Sequence, residues 1–354
     1  MKEYHELSTY STPSNRSTSG IARSIFLTLI IPNDTIKQDY NFVGITKEVI
    51  MKKHAFLIIA HSNEDDLINL IKSIDFEYND IYIHIDKKWK DCNFDRIKSA
   101  AKYSPIYFSK KRYSVIWGAS SQIAVELQLF ELAVQQGEDY QYMHLLSGQD
   151  ICIKSPMELH KFFDENDGSE FLCFCGKDWQ IAAQDRVKYY HLNCGRNSFK
   201  RKLNNLYIKM QKALGIDRLK KSNLIVCGGS NWASITNSLA NYLVENKAQI
   251  LKIFSHSNCA DELYKHTYAF NSEFKNKIYY LNTAEINDDN DPNMYIANMR
   301  YIDWNRGNPY LFVESDIESI KSSPCMFIRK VSNTNNLPSM ILSECISSDD
   351  TRNA

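Results

Sequence analysis

The hydrophobic pattern from residue 54 onward alternates between strand-like and helix-like segments. A continuous apolar run, typical of a strand buried on both faces, occupies residues 55–60, and residues 81–86 and 142–146 are two further strand-like runs. Between these runs, apolar residues recur at helical spacing after Asn63 and again over residues 121–136. Strands that alternate with helices predict an α/β fold, with a mostly parallel central sheet covered by helices on both faces. Such sheets bind their ligands at the carboxyl ends of the strands.

Local signals refine this pattern at the first helix and in the second half of the chain. Asn63 can cap a helix whose first turn holds three acidic residues, and these suit the positive end of the helix dipole. Residues 201–214 and 236–251 are predicted to form helices, and residues 224–227 to form a short strand that leads into Gly228 and Gly229.

The domain prediction follows from where this pattern starts and stops. Residues 1–50 begin with a Ser- and Thr-rich stretch and are predicted to be a disordered tail or an extension upstream of the natural start. Residues 51–331 are predicted to form a single domain. Residues 332–354, rich in Ser, Asn and Asp, are predicted to be a loose C-terminal tail.

Composition narrows the functional class. Lys+Arg and Asp+Glu both number 42, so the chain lacks the basic field that nucleic-acid binding needs. No stretch reaches the roughly 18 apolar residues of a spanning helix. The nine cysteines have irregular spacing and no C-x-x-C pair, which favours reduced thiols over a zinc site or a disulfide framework. We therefore expect a cytoplasmic protein, with peripheral association at the inner face of the membrane left open.

Two residues at predicted strand or helix ends could bind a nucleotide. Asp86 ends a strand, where it could accept hydrogen bonds from a ribose or a base, or else pair with Lys87 or Lys88. Trp117 stands beside Gly118 just before a helix, where its indole could stack on a ring or fill the core.

The usual pair of metal-binding aspartates is missing from the sequence. Asp150 follows the central strand at the position where nucleotide-sugar enzymes often hold a divalent cation, but no second aspartate accompanies it. Asp289-Asn290-Asp291 has the D-x-D spacing but lies in a polar stretch with no preceding strand, which indicates a turn. We therefore expect no bound metal, and place Asp150 on the donor side of the site.

Without a metal, a leaving diphosphate would need basic side chains to neutralise its charge. The C-terminal region supplies Arg300, Arg306, Arg329 and Lys330, each of which could equally be plain surface charge. Asp261-Glu262 opens a helical stretch, where a carboxylate could act as a general base or simply favour the helix dipole.

These segments together resemble the core-2/I-branching β-1,6-N-acetylglucosaminyltransferases, a family that also includes the peptide O-xylosyltransferases. The resemblance covers about residues 53–331, and its most specific part is the segment 142–155, Y-x-H-L-L-S-G-Q-D-x-x-I-K-S. The other matching segments occur in the order of the family: 55–61, 81–88, 114–120, 229–232, 261–262, 300–304 and 327–330.

The resemblance implies a GT-A (Rossmann-like) fold, a UDP-sugar donor and an inverting, metal-independent mechanism. It assigns the catalytic base to Glu262, and the diphosphate to Lys330 with Arg300, or with Arg306 in place of Arg300. It places the nucleotide beside Asp86 and Trp117. It also matches Gly229, Ser230 and Trp232 to a G-S-x-W loop near the acceptor.

Donor and acceptor remain open at this stage. We expect GlcNAc transfer to give a β-linkage in polysaccharide or glycan synthesis. The alternatives are a xylosyltransferase that uses UDP-xylose and a catalytically silent sugar- or nucleotide-binding module. A glycan, a lipid-linked sugar and a protein hydroxyl are all candidate acceptors. The family's luminal members carry a membrane anchor and paired cysteines. The sequence departs from that pattern in both respects, so we expect a bacterial-type cytoplasmic version.

Overall fold

The computed structural model describes residues 51–346, except for 193, 196, 282–295 and 308. The strands of the described residues are β1 (His54–Ala60), β2 (Asn79–Ile85), β3 (Ile106–Phe108), β4 (Tyr142–Ser147), β5 (Asp150–Cys152), β6 (Ala233–Thr236), β7 (Arg300–Ile302) and β8 (Phe327–Arg329). The α-helices are α1 (Glu64–Ile74), α2 (Phe94–Lys98), α3 (Ser120–Val134), α4 (Pro156–Glu165), α5 (Lys177–Lys188), α6 (Ser198–Ala213), α7 (Asn237–Glu245), α8 (Lys247–Phe254), α9 (Tyr264–Phe270), α10 (Ile317–Lys321) and α11 (Leu337–Ile341).

The main sheet has five strands in the order β3-β2-β1-β4-β6. The first four are parallel, and β6 runs antiparallel to β4. In the register of the sheet, Ile58 of β1 lies opposite Ile83 of β2 and Leu146 of β4. Every residue of β2 and β4 is buried, because helices cover both faces of the sheet. The predicted α/β fold with a mostly parallel sheet is confirmed.

One hydrophobic core lies on each face of this sheet. On one face, Leu57 and Leu145 pack against Ile123 and Phe130 of α3 and Leu239 of α7. On the other face, the core joins strand residues to α1 and α4, with Phe56, Leu67, Ile71, Leu159 and Phe163 among its members. The predicted start of α1 is confirmed, since Asn63 Oδ1 accepts a hydrogen bond from the Asp66 amide and the first turn is acidic.

A second, three-stranded sheet in the order β5-β8-β7 carries the C-terminal part of the domain. Its own core joins Ile151, Phe312 and Ile328 to Leu337 and Ile341 of α11. The prediction of a loose tail from residue 332 is therefore wrong for residues 332–346. Leu337 and Ile341 of that segment are fully buried, and burial offsets the loss of chain entropy. Residues 347–354 and residues 1–50 lie outside the described part of the chain.

Two predicted elements of the second half take a different form. The helix predicted over residues 236–251 is two helices, α7 and α8, which meet at Asn246. Residues 224–227, predicted to be a strand, form no strand ladder. Side chains satisfy their backbone instead: the Cys227 amide donates to Thr267 Oγ1 at 3.1 Å, and the Ile225 amide donates to Asn271 Oδ1 at 3.0 Å.

Arg300 of β7 is buried where the two sheets meet. Its Nη2 donates to the carbonyl of Ala233 on β6 at 2.7 Å and to that of Leu145 on β4 at 3.3 Å. Its Nη1 donates to Ser234 Oγ at 2.8 Å, and the guanidinium lies over the ring of Phe327 on β8. One side chain thus joins β4, β6, β7 and β8.

Arg300→Met should lower the free energy of unfolding by about 3 kcal/mol or more, because buried carbonyl groups lose their donors. The matched control is Arg306→Met. Arg306 is an exposed arginine that pairs with Asp303 and Asp316, so its loss should have a much smaller effect. Urea unfolding measures both variants, and equal losses would contradict the joining role of Arg300.

Candidate active site

The carboxyl ends of β1, β2 and β4 form one edge of the main sheet. His61 follows β1, Asp86 follows β2, and Gly148 follows β4. Gly148 donates from its amide to the Ile59 carbonyl at 3.0 Å, and a Cβ placed on it would lie 3.1 Å from the Cβ of Ala60. Since parallel sheets bind ligands at this edge, the candidate site lies here.

Asp86 is buried and ties the end of β2 to the loop that carries Trp117. Its Oδ1 accepts from the Lys88 amide at 2.8 Å and its Oδ2 accepts from the Val115 amide at 3.2 Å. The alternative pairing is also present, since Lys88 Nζ lies 3.5 Å from Oδ2. Trp117 does not fill the core, because half of its surface (50%) is exposed and the guanidinium of Arg201 stacks over its ring.

The loop around Gly118 connects Asp86 to the turn that holds the two adjacent acids. The Cys259 amide donates to the Gly118 carbonyl at 3.0 Å. Gln122 bridges the two segments, since its Oε1 accepts from the Gly118 amide and its Nε2 donates to Asp261 Oδ2 at 3.0 Å. The acids themselves stand in a single 3-10 turn, Ala260–Glu262.

Glu262 is the acid of this turn that reaches solvent. Its side chain is one-third exposed (33%), and its Oε2 accepts a hydrogen bond from Arg186 Nη1 at 2.6 Å. Arg186 in turn lies over the ring of Trp179, with the guanidinium 4.6 Å from the ring centroid. A charged, oriented carboxylate with access to solvent can accept a proton from a bound hydroxyl group.

Asp261 has the opposite environment. It is buried, and burial, followed by the charges of Glu126 and Glu262, raises its pKa to about 8. At neutral pH it therefore holds its proton. Of the two neighbouring acids, Glu262 is the one that solvent reaches, which favours it as the proton acceptor.

A buried ion pair lies beneath the turn. Lys265 Nζ donates to Glu126 Oε2 at 2.5 Å, to Asn231 Oδ1 at 2.7 Å and to the Asp261 carbonyl at 2.9 Å. Both charged side chains are fully buried. The pair ties α3, α9 and the residue 230–232 loop to the acid turn. Sequence reasoning missed it, because its partners lie 139 residues apart and neither stands in a recognisable motif.

The predicted acceptor-side loop approaches the same turn through its glycines. The Gly229 amide donates to the Glu262 carbonyl at 2.9 Å, and the Ser230 amide donates to the Cys173 carbonyl at 3.0 Å. A Cβ on Gly229 would lie only 1.8 Å from the Cys173 carbonyl oxygen. A Cβ on Gly228 would lie 2.7 Å from the Glu262 carbonyl oxygen. Only glycine permits this approach.

Arg329, the last residue of β8, places a guanidinium at the site. Its Nη1 donates to Asp150 Oδ1 at 2.7 Å, and its guanidinium stacks over Trp232 at 4.5 Å. Asp150 is fully buried, and its Oδ2 accepts from the Ser147 amide at 2.8 Å. Asp150 therefore orients Arg329.

The pKa of His61 depends on the charges around it. Burial lowers its pKa most, Lys330 and Arg329 lower it further, and Asp86 acts in the opposite direction. The end of β8 lies against the segment that follows β4, since the Val331 amide donates to the Gln149 carbonyl at 3.0 Å and Arg329 pairs with Asp150.

The other predicted cation positions lie elsewhere. The guanidinium of Arg300 is inside the protein, as described above. Arg306 pairs with Asp303 Oδ2 at 2.6 Å and Asp316 Oδ1 at 2.7 Å, beside the second sheet. Asp289 and Asp291 lie outside the described residues. The described residues gather no group of three or more His, Cys, Asp or Glu side chains that could hold a metal ion.

Comparison with known proteins gives the family. The model of the Core-2/I-Branching enzyme family matches residues 54–340, which is most of the chain. This chain belongs to the Core-2/I-branching enzyme family. The family, glycosyltransferase family 14, matches the resemblance found in the sequence and consists of glycosyltransferases.

Curated relatives of this family member include several xylosyltransferases. Xylosyltransferase sqv-6 of Caenorhabditis briggsae is 25% identical over 280 residues, which are 76% of this chain and 33% of that protein. Xylosyltransferase 2 of Homo sapiens is 24% identical over 292 residues, which are 80% of this chain and 32% of that protein. The family member studied here thus spans about a third of the length of these relatives.

A solved structure also aligns with this family member. Mouse xyloside xylosyltransferase 1, in its apo form, covers 78% of this chain and 96% of its own, with a TM-score of 0.34 and 8% identity. Likeness at that level supports no argument about function. In the part of the chain that the structure describes, no helix is both long and apolar enough to cross a membrane.

The pKa of His61 provides a test of the site's electrostatics. Adding UDP should raise it, because negative phosphate charge offsets the repulsion by Lys330 and Arg329. In the protein without UDP, Lys330→Gln should raise it as well, by removing one cation. A proton NMR titration, with the His61 signal assigned from a His61→Gln variant, measures both shifts.

The internal control for this titration is His160, which bonds Asn79 at the opposite edge of the sheet and whose pKa burial lowers to about 4. Its pKa should not respond to UDP. A His61 pKa that stays constant in both experiments would show that the diphosphate does not bind beside Lys330.

Proposed function

We propose that this chain is an inverting, metal-independent glycosyltransferase with a GT-A fold that transfers xylose from UDP-xylose to an acceptor hydroxyl group. Family membership supports the reaction class. The names of the curated relatives favour the xylose alternative over the GlcNAc transfer expected from the sequence. The observation that carries the proposal is the solvent-accessible Glu262 carboxylate, joined through Gln122 and the Gly118 loop to the edge that bears Asp86.

In the proposed reaction, Glu262 takes the proton from the acceptor hydroxyl. The acceptor oxygen attacks the anomeric carbon of the α-linked donor from the face opposite UDP. The bond from that carbon to the phosphate oxygen breaks, and UDP leaves with the electron pair, so the product is β-linked. Arg186 orients the carboxylate and balances its charge before the proton arrives.

In this proposal, Arg329 and Lys330 stabilise the negative charge that develops on the leaving diphosphate. The charges of both lower the pKa of His61, which follows β1, whereas the guanidinium of Arg300 is bonded to carbonyl groups inside the protein. Cations that are fixed before the reaction stabilise the developing charge without further reorganisation, which is usually the largest catalytic contribution. Asp86 and Trp117 would contact the nucleotide, and Ser230 and Trp232 would lie on the acceptor side.

The two neighbouring acids give a matched pair of variants. Glu262→Gln should lower turnover by about 10²–10⁴-fold, the usual contribution of a general base, while UDP binding persists. Asp261→Asn should keep most of its turnover, because Asp261 is already neutral at pH 7. Release of UDP from UDP-xylose and UDP-GlcNAc, with calorimetry for UDP binding, checks both variants. Near-normal turnover by Glu262→Gln would refute the assignment of the base.

Asp261→Asn also tests the protonation of that residue. The native state retains the proton up to a pKa of about 8, whereas the unfolded chain loses it near the ordinary value of 3.8. Asp261 therefore costs stability increasingly as the pH rises from about 4 to 8. The Asn variant should lack this cost, so its stability relative to wild type should rise over that range in urea unfolding.

The donor panel also decides between the proposed sugar and the one expected first. UDP release from UDP-xylose that persists in excess EDTA and depends on Glu262 would support the whole proposal. A preference for UDP-GlcNAc would return the donor to the expectation from the sequence. Release that requires a divalent cation would overturn the metal-independent mechanism, and failure to bind UDP would favour a silent module.

A further inference from the structure

Helix α6 exposes a continuous apolar stripe to solvent. Its members recur at intervals of three or four residues, so they fall on one side of the helix. The exposed fractions are 68% for Phe199, 44% for Leu203, 64% for Leu206, 51% for Met210 and 68% for Leu214, the residue that follows the helix. A stripe of this kind normally faces the core of a soluble domain, and its exposure requires an explanation.

The inward side of α6 is fixed to the domain by polar side chains. Gln211 is fully buried, and its side chain both donates to and accepts from the backbone of Tyr190, at 2.9 and 2.8 Å. Asn204 accepts from the Leu192 amide at 2.8 Å. These amide side chains fix the helix to the domain through the face that an ordinary amphipathic helix turns to solvent. The apolar stripe therefore points outward because hydrogen bonds on the other side hold it there.

The charge on α6 is of one sign. The helix carries five basic residues, Lys200, Arg201, Lys202, Lys209 and Lys212, and no acidic residue, although the whole chain has a net charge of zero. On a helical projection Lys202 and Lys209 border the stripe on one side and Lys200 borders it on the other. Lys212 and Arg201 lie away from the stripe, where Lys212 pairs with Asp185 and Arg201 stacks on Trp117.

We propose that α6 is an interfacial helix that seats this face of the protein on an anionic lipid bilayer. An apolar stripe flanked by lysines is the pattern of helices that lie in the plane of a membrane surface. The apolar side chains would enter the acyl boundary, and the lysines would contact anionic headgroups. A second copy of the chain fits this face less well, because two such helices would bring their lysines together.

The membrane-binding face adjoins the candidate active site. Arg201 of α6 lies over Trp117, and Arg186 of the neighbouring helix α5 bonds Glu262. A bilayer seated on α6 would therefore hold a lipid-linked acceptor beside the site. This consequence, unlike membrane binding itself, rests on the proposed function.

Sedimentation of the full chain with vesicles tests the proposal. The protein should bind vesicles of phosphatidylcholine mixed with phosphatidylglycerol, should not bind phosphatidylcholine alone, and should dissociate as the salt concentration rises. The double variant Lys202→Glu/Lys209→Glu should weaken binding by at least about 30-fold, from about 1 kcal/mol per lysine. The double variant Phe199→Ser/Leu206→Ser should weaken it on the order of 100-fold, because two apolar side chains no longer insert.

Matched controls exist on the far side of the domain. Tyr103 is 58% exposed near the start of β3, so Tyr103→Ser should leave vesicle binding unchanged. Lys72→Glu/Lys98→Glu alters exposed lysines of α1 and α2 and should have no more than a small effect. Circular dichroism verifies that each variant is folded. Hydrolysis of the donor should be unchanged in the Phe199→Ser/Leu206→Ser variant, since neither residue belongs to the site.

Three outcomes would overturn the membrane proposal. They are absence of binding to the anionic vesicles, equal binding by the stripe variants and their controls, and a concentration-dependent dimer that the stripe variants abolish. The last would assign the face to a second copy of the chain. Glu262→Gln should bind vesicles like the wild type, so a failure of the proposed reaction can be distinguished from a failure of membrane binding.

Discussion

The buried guanidinium of Arg300 is the interaction on which the geometry of the domain depends. It supplies donors to the carbonyl groups of Leu145 and Ala233, at the place where the main sheet meets the second sheet. Burial lowers the pKa of Arg300 to about 9, with Asp150 acting in the opposite direction, so the side chain is still charged at neutral pH. A charged group in this position tolerates no apolar substitute without leaving backbone acceptors unsatisfied.

A chain of hydrogen bonds extends this constraint through the centre of the main sheet. Ser234, which accepts from Arg300, is bonded to His144 Nδ1, and His144 Nε2 is bonded to His54 Nδ1. Burial lowers the pKa of both imidazoles well below the ordinary value, so both are neutral and Arg300 is the one charge in this chain of contacts. The contacts of Arg300 also hold β8, whose last residue is Arg329, against the carboxyl edge of the main sheet.

The ionisable groups of the candidate site fall into a solvent-accessible set and a buried set. Glu262 reaches solvent and pairs with Arg186, while Asp261 and the pair of Lys265 and Glu126 remain buried beneath it. The buried groups hold the turn in place, and the accessible one faces solvent. On α6, the hydrogen bonds of the Gln211 and Asn204 side chains likewise determine which side of the helix faces the domain, so the apolar stripe faces outward.

The sequence by itself determined much of the framework. The apolar runs that became β1, β2 and β4, the cap of α1 and the acid at the end of β2 could be read directly, because period and capping chemistry are local. The segment 142–155 identified the family. Local pattern also placed α3 and α6 to within a few residues, but it predicted α7 and α8 as one helix and missed the buried α11.

Only the tertiary structure decided which charged residues lie at the site. The sequence offered Arg300, Arg306 and Arg329 as candidate cations, and the resemblance preferred Arg300, or Arg306 in its place, for the diphosphate. Folding buried Arg300 under strand carbonyls, paired Arg306 with Asp303 and Asp316, and placed Arg329 against Asp150 and Trp232. It also separated Asp261 from Glu262, which are adjacent in the chain, by burial of one and exposure of the other. The physical reason is that desolvation and long-range pairing depend on neighbours distant in the chain, and local sequence carries no record of them.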